Sequence, residues 1–337
     1  MKTHLSTSKS NPRSSQHSRK KHIAVIIVNW NSADCLARCV EGLLGQSLKP
    51  DRILIIDNSS TDNSIESVKS SASFIEVVHR KKNFGFANSN NFAAAMCGNY
   101  QWLALVNPDT ASESDWLENL MNAASRHPEY SMFACKQVQA DRPEYLDGTG
   151  DCYHVSGLMW RRDFGRSVST VQDRVCEVFS PCGGAMLISR KAFEEAGGFD
   201  EDFFCYTEDV DLGFRLRLLG HRCLYVPSSV IHHAGSASAG KKSDFSIYHG
   251  HRNLVWTFFK NMPFSLLVIY LPQHLFLNLF SLIWFFGKGR TKVILKAKQD
   301  ALKGMTRMLR KRRNIQSSKR IRSIELLKIM HRGLPKR

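Results

Sequence analysis

The sequence predicts an α/β fold built on a doubly wound, mostly parallel sheet. Two observations carry this. Short continuous apolar runs alternate with segments of helical period through residues 23–126, the order expected of βαβ units. Two of those runs, 53–57 and 102–109, end in a carboxylate, at the edge where open α/β sheets bind ligands.

Residues 23–28 form a run apolar on both faces, as a buried parallel strand requires. A helix is expected over 33–47, with Leu36, Val40, Leu43 and Leu44 on one face. Residues 52–56 read as the second strand. A helix is expected over 61–71, with Asp62 favourable to the dipole of its first turn. Residues 74–79 give a third strand, 87–97 a helix ended by Gly98-Asn99, 101–106 a fourth strand and 113–126 another helix.

Beyond this point the pattern loosens. Residues 131–180 hold only short strand candidates and loops. Residues 182–189 read as a strand, 190–195 as a helix stopped by Gly197-Gly198, 208–219 as a helix stopped by Gly220, and 221–227 as a final strand. No internal repeat is present.

The net charge of +17 is unevenly distributed. Residues 1–22 carry six Lys/Arg and no acid, residues 288–337 carry eighteen against two acids, and the remainder holds 23 bases against 28 acids. The basic ends suit a polyanion such as lipid head groups, or are simply solvated. The mildly acidic body argues against nucleic acid as a partner. Residues 1–22, rich in Ser, Lys and Arg, are expected to be disordered and do not read as a signal peptide. Nine cysteines without a CxxC pair fit reduced thiols in a cytosolic protein.

Four segments carry chemistry. In Ile56-Asp57-Asn58-Ser59-Ser60-Thr61-Asp62, Asp57 can accept from a nucleobase or ribose, or can merely shape the turn. The loop Asn83-Phe84-Gly85-Phe86-Ala87 leads into a helix whose first N–H groups, with Asn91 a turn further on, suit a diphosphate; an ordinary helix start is the alternative. Asn107-Pro108-Asp109 offers a carboxylate that can hold Mg²⁺ or Mn²⁺ against phosphate oxygens. In Thr207-Glu208-Asp209, acids after a run of aromatics suit a sugar-binding general-base site, although acids at a helix start also serve the dipole.

Together with Val28-Asn29-Trp30-Asn31 and Pro181-Cys182-Gly183-Gly184, these motifs resemble glycosyltransferase family 2, and most closely its rhamnosyltransferase-like branch, over about residues 23–260. The resemblance implies a GT-A fold and transfer from a nucleotide-diphosphate sugar with inversion at the anomeric carbon. It implies that Asp57 holds the nucleotide base, with Val28, Asn29, Trp30, Asn58, Asn83, Gly85, Asn91 and Asn107 lining the donor site. Asp109 would bind the divalent metal, Mg²⁺ or Mn²⁺, in the place of the family's Asp-x-Asp signature, whose first acid is here Asn107. Asp209 would be the general base, with Glu208 sharing the task or orienting the acceptor. Of the pair His232-His233, the spacing to Ser236 favours His232 as a further metal ligand. Cys182, Gly183, Gly184, Arg252 and Asn253 would meet the acceptor. The absence of the Gln-x-x-Arg-Trp signature of processive synthases favours addition of one or a few sugars.

Residues 261–287 form an apolar segment, long enough to cross a bilayer but interrupted by Pro272, Gln273, His274 and Asn278. A single crossing would part the catalytic body from the basic tail of residues 288–337, and both belong on the cytoplasmic side. An in-plane or re-entrant element is therefore expected, on the cytoplasmic face of the membrane, with a polyprenyl-linked or glycan acceptor. Two other readings are a nucleotidyltransferase on a related sheet and a non-enzymatic polyanion-binding scaffold. The first calls for a Gly-rich, basic loop after the first strand, where this chain has Asn29-Trp30-Asn31-Ser32.

Overall fold

The computed structural model describes residues 23–68, 72–235 and 243–333. The expected disordered segment 1–22 lies outside the described residues. The elements are β1 (Ile23–Asn29), α1 (Cys35–Leu44), β2 (Arg52–Asp57), β3 (Ile75–His79), α2 (Gly85–Met96), β4 (Trp102–Val106), β5 (Thr110–Ser112), α3 (Trp116–Arg126), β6 (Met132–Gln139), β7 (Leu146–Gly148), β8 (Asp151–Tyr153), β9 (Met159–Arg161), β10 (Cys176–Val178), β11 (Ala185–Ser189), α4 (Arg190–Glu195), α5 (Glu208–Leu218) and β12 (Cys223–His233). Five helices complete the chain: α6 (Asp244–Asn261), α7 (Phe264–Phe286), α8 (Thr291–Lys303), α9 (Met305–Ser317) and α10 (Ser323–Ile329).

The main sheet runs β10-β12-β6-β11-β4-β1-β2-β3. The strands β4, β1, β2 and β3 are mutually parallel, as the βαβ pattern predicts. Beyond β4 the sheet is mixed, because β11 runs antiparallel to both β4 and β6. Residue parity sorts the two faces. Ile23, Val25 and Ile27 pack with α1 and α3, whereas Ala24 and Ile26 pack with α2, α4 and α5. Both faces are covered, which is why these strands read as unbroken apolar runs.

Three expectations need correction. The helix over 61–71 is absent from the described part of that segment. Asp62 accepts from the Ser64 N–H (3.2 Å) and hydroxyl (2.6 Å), and Ser67 Oγ donates to Ser64 O, so local side-chain bonds hold a turn instead. The helix expected from residue 33 begins at Cys35, since Asn31 and Ala33 take left-handed backbone conformations (φ 48° and 47°). The last strand is longer than expected and runs through a bulge between Val226 and Val230, which carries His232 and His233 into the sheet.

The C-terminal helices fold back onto the body. Phe258, Met262, Leu266, Leu326 and Met330 share one buried cluster with Tyr153, Phe179 and Phe214. Trp256, Ala301 and Met308 form another with Phe203. Helix α7 buries few side chains, Leu266, His274 and Ser281 among them.

Candidate active site

The register of β1 with β2 sets Asn29 opposite Asp57, and β4 ends beside them at Val106, so the three predicted positions Asn29, Asp57 and Asn107 share one sheet edge. Asn29 is fully buried. Its Nδ2 donates to Ser64 Oγ (2.9 Å), Ser60 Oγ (3.1 Å) and more weakly to Asp57 Oδ1 (3.4 Å). Asp57 accepts from the Ser60 N–H at 3.2 Å, and its other oxygen lies 3.1 Å from His79 Nδ1. Val28 is buried in β1, while Trp30 is exposed beside this edge.

Asn58 links the edge to α2: its Nδ2 donates to Gly85 O (3.2 Å), and its Oδ1 accepts from Ser89 Oγ (2.7 Å). Asn83 Oδ1 accepts from the Gly85 N–H at 2.8 Å. Gly85 has φ +83°, and a Cβ there would come within 2.6 Å of the Phe204 ring, so only glycine fits. Asn91 does not face this edge. Both ends of its amide bond the backbone of Phe199 (2.8 and 2.9 Å), and Nδ2 also reaches Glu201. The donor contact expected of Asn91 gives way to a role in fixing the segment that leads to Glu208 and Asp209.

Beyond β4, the Asn107 N–H donates to Gly184 O (2.9 Å), and its buried Oδ1 has no protein partner among the described residues. Asp109 Oδ1 lies 3.3 Å from His233 Nε2, and His233 Nδ1 lies 2.6 Å from Asp147 Oδ2, which Arg161 also contacts. Burial alone would depress the His233 pKa, but the carboxylates of Asp109 and Asp147 outweigh it and lift it to about 9. His232 corrects a second expectation. Adjacent strand residues face opposite ways, and His232 Nε2 turns to Glu113 Oε1 (2.6 Å), away from Asp109.

Asp209 opens α5 on the neighbouring side. Its Oδ2 accepts from the Gly183 N–H (2.7 Å) and its Oδ1 from the Val210 N–H (2.8 Å). A Cβ on Gly183 would come within 2.7 Å of that carboxylate. Gly184 bonds Asn107, so the Gly183-Gly184 pair joins the Asp209 and Asn107 corners. Burial raises the Asp209 pKa against the pull of its backbone donors and Arg161. Glu208 is pushed up further, by burial and by Asp209 beside it, and Asp151 is raised for the same two reasons.

Ligand atoms of Asp151, Cys182 and Asp209 lie within 4.8 Å of one another, a group that could hold a metal ion. Its thiol suits softer metals than Mg²⁺ or Mn²⁺. Asp109 and His233 offer an oxygen and an imidazole nitrogen 3.3 Å apart, donors of the kind that Mn²⁺ or Mg²⁺ accepts, and the buried Asn107 Oδ1, without a partner among the described residues, belongs to the same turn.

The loop before α5 is strained. Phe204, Tyr206 and Thr207 all have φ between 64° and 66°, costly for a β-branched threonine. Asn253 holds it: its Nδ2 donates to the carbonyls of Phe203 (3.1 Å), Cys205 (3.0 Å) and Tyr206 (2.8 Å). Arg252 Nη2 donates to the carbonyls of Asp202 (3.1 Å) and Phe203 (2.9 Å). Asn253 is fully buried, so the acceptor contact expected of it is corrected to a positioning one. His79, Asp147, Arg161 and Asp151 went unnoticed in the sequence, and His233 was weighed there only as the less favoured member of the doublet His232-His233.

A family model described as Glycosyl transferase family 2 matches residues 24–197, which carry the sheet edge from Asn29 through Asp109 to Gly184. The chain belongs to glycosyltransferase family 2. The enzyme is a rhamnosyltransferase-like member of it. It is similar to the N-acetylglucosaminyl-diphospho-decaprenol L-rhamnosyltransferase of Mycobacterium tuberculosis, at 27% identity over 240 residues, covering 65% of this chain and 78% of that protein. A short stretch of 55 residues is 46% identical to the rhamnosyltransferase WbbL of Escherichia coli, covering 16% of this chain and 21% of that one. Among solved structures, GalNAc-T7 with UDP, GalNAc and Mn²⁺ superposes with a TM-score of 0.57 at 16% identity, over 71% of this chain and 48% of that one. The mannosyltransferase PcManGT of Pyrobaculum calidifontis, with GDP-Man and Mn²⁺, gives 0.51 at 15% identity over 91% and 78%. These likenesses establish the transferase's GT-A fold.

Proposed function

We propose that this glycosyltransferase moves a sugar, with rhamnose the leading candidate, from a nucleotide-diphosphate donor to a lipid-linked or glycan acceptor in cell-surface polysaccharide synthesis. The observation that carries the reading is the placement of Asp209. It is half-buried, raised in pKa, and joined through Gly183-Gly184 to the Asn107 corner at the sheet edge. The acceptor and sugar are taken from the kinship with the mycobacterial rhamnosyltransferase.

In this reading Asp57 and His79 bind the base and ribose, and the start of α2 faces the diphosphate. Asp209 takes the proton from the acceptor hydroxyl as its oxygen attacks the anomeric carbon. The bond from that carbon to the diphosphate breaks on the opposite face, which inverts the centre. Glu208, whose pKa is pushed upward by burial and by Asp209, stands beside the base and orients the acceptor. Asn107, Asp109 and His233 would hold Mn²⁺ or Mg²⁺, which neutralises charge on the departing diphosphate.

Thermal unfolding with nucleotide diphosphates tests this. Binding is expected to raise the midpoint, and more so with Mn²⁺. His233→Ala is expected to remove the Mn²⁺-dependent increment while His232→Ala keeps it. No stabilisation by any nucleotide diphosphate would end the reading.

We also propose that α7 lies in the plane of the cytoplasmic membrane face. Two of its polar interruptions turn inward: His274 stacks on Phe258 at 3.8 Å and bonds Ser156 O, and Asn278 accepts from Lys298, whereas Gln273 is exposed. Its outer face presents Phe264, Ile269, Phe276, Phe280, Ile283 and Phe286, each more than half exposed. Phosphatidylglycerol vesicles are expected to bind the parent, and Phe276→Asp with Phe280→Asp to release it while nucleotide binding persists. Retained vesicle binding in that variant would defeat the in-plane assignment.

A further inference from the structure

Between α6, α8 and α9 lies a cavity of about 460 Å³ that none of the donor-site residues line. Four of its side chains are cations: Arg252, Lys303, Arg307 and Arg310. Its floor is Trp256, over which Arg252 stacks at 4.3 Å and Arg307 at 5.6 Å. Gly304 makes this arrangement possible. A Cβ there would come within 2.5 Å of the Trp256 ring, so the junction of α8 and α9 can press its cations onto the indole only with glycine.

Two carboxylates, Asp300 and Asp202, face these four cations and offset only part of their charge. Asp300 lines the cavity but accepts from Tyr248 OH (2.9 Å) and lies 3.5 Å from Lys303. Asp202 pairs with Arg307 at 2.8 Å and with Lys311 at 2.7 Å. A dense positive field over a rigid aromatic floor suits a phosphate or diphosphate, which takes several N–H donors at once.

The surroundings indicate where that phosphate comes from. Leu295 and Leu302 lie seven residues apart on α8 and are 53% and 70% exposed. Both stand within about 60° of Lys298 around α8, and Lys298 reaches Asn278 of α7, so α8 presents exposed apolar side chains next to that helix. Lys303 follows about 100° further round, on the cavity side. The cationic cavity and the apolar face are therefore separated by about one helix diameter, ~10 Å. An amphiphile with an anionic head and a hydrocarbon tail matches both.

We propose that this cavity is a binding site for the phosphate or diphosphate head of a membrane lipid, on the premise that α7 and α8 lie at the membrane surface. The site also touches the catalytic loop. Arg252 holds the carbonyls of Asp202 and Phe203, and Arg307 holds the Asp202 carboxylate, shortly before Glu208 and Asp209. Lipid seated on these two arginines is thereby coupled to the segment that presents the base.

The test uses the full chain and a short isoprenoid diphosphate below its micellar concentration. The parent is expected to bind it. The exposed-site double variant Lys303→Glu with Arg310→Glu is expected to bind it about 10- to 100-fold more weakly, the range for lost charge-assisted bonds. Nucleotide-diphosphate binding by the same variant, read as thermal shift, is expected to stay at the parent's level. Phe276→Asp with Phe280→Asp should keep isoprenoid-diphosphate binding while losing vesicles, which separates a failed cavity from a failed membrane face. If phosphatidylglycerol vesicles displace the isoprenoid diphosphate from the parent, the site serves bulk anionic lipid; if they do not, it serves the isoprenoid-linked acceptor. Parent-like binding of both lipids by the Lys303/Arg310 variant overturns the proposal. Loss of nucleotide binding in the parent would strike the transferase reading instead and leave the lipid result standing.

Discussion

Replacing Asp209 with asparagine is expected to lower the rate of sugar transfer by roughly 10²–10⁴-fold while leaving nucleotide-diphosphate binding intact. Asparagine keeps the shape of the side chain, and its carbonyl oxygen can still accept from Gly183 or Val210, so the fold tolerates it. What it loses is the capacity to take a proton. The pH profile gives a second readout. Because burial raises the Asp209 pKa above its ordinary 3.8, the base is protonated at a higher pH than an ordinary aspartate as pH falls, and the acid limb of kcat/KM should be shifted upward accordingly. Stability runs the other way. Asp151 and Glu208 bind protons more tightly folded than unfolded, so their contribution is fully present below the ordinary carboxylate pKa and is lost as pH rises through the raised values. Transfer by Asp209→Asn at the parent's rate would remove Asp209 from the mechanism.

Replacing Lys260 with methionine is expected to destabilise the protein by about 3–5 kcal/mol, the cost of leaving buried charges without their partner. Lys260 is fully buried on α6. Its ammonium lies 2.5 Å from Asp200 and 2.7 Å from Asp211, and it sits 4.5 Å from the centre of the Phe203 ring. Asp211 belongs to α5, two residues from the base, so this one cation fastens α6 to the helix that carries Asp209. Burial would raise the Asp200 pKa, but Lys260 and Lys311 reverse this and hold it below the usual range. The stability tied to Asp200 is therefore present at neutral pH and lost as pH falls through the carboxylate region. Urea unfolding of parent and variant measures the change; a loss under about 1 kcal/mol would mean that water or a shifted proton supports the two carboxylates.

The parallel half of the sheet was legible because strands buried on both faces must be apolar at every position, and residues 23–28 and 53–56 are. The sheet-edge positions Asp57 and Asn107 were legible for a related reason: a polar residue directly after such a run has one place to go, and Asp109 follows two residues on. The helix expected over 61–71 failed because Asp62 and Ser64 bond locally, and that competition leaves no periodic trace. Asp147, Asp151 and Arg161 lay in strands of three residues, too short to show alternation.

The histidine doublet shows the limit most sharply. Sequence spacing preferred His232, but whichever histidine points inward depends on the register of β12 against β5 and β6, which a bulge shifts. The basic C-terminal region shows the same limit. Its charge was plain, yet nothing in its composition separated Lys311, committed to Asp200 and Asp202, from the cations gathered around Trp256.

By itself, then, the sequence determined the layered α/β architecture and the sheet edge at which Asp57 and Asn107 stand, since these follow from local periodicity and from where apolar runs stop. The tertiary structure alone decided which histidine meets Asp109, that Asn253 restrains the loop rather than meeting an acceptor, and where the tail's cations are spent. Each of those depends on partners far apart in the chain, as Lys260 and Asp200 are at 60 residues, and electrostatic and hydrogen-bond energies depend on distance in space.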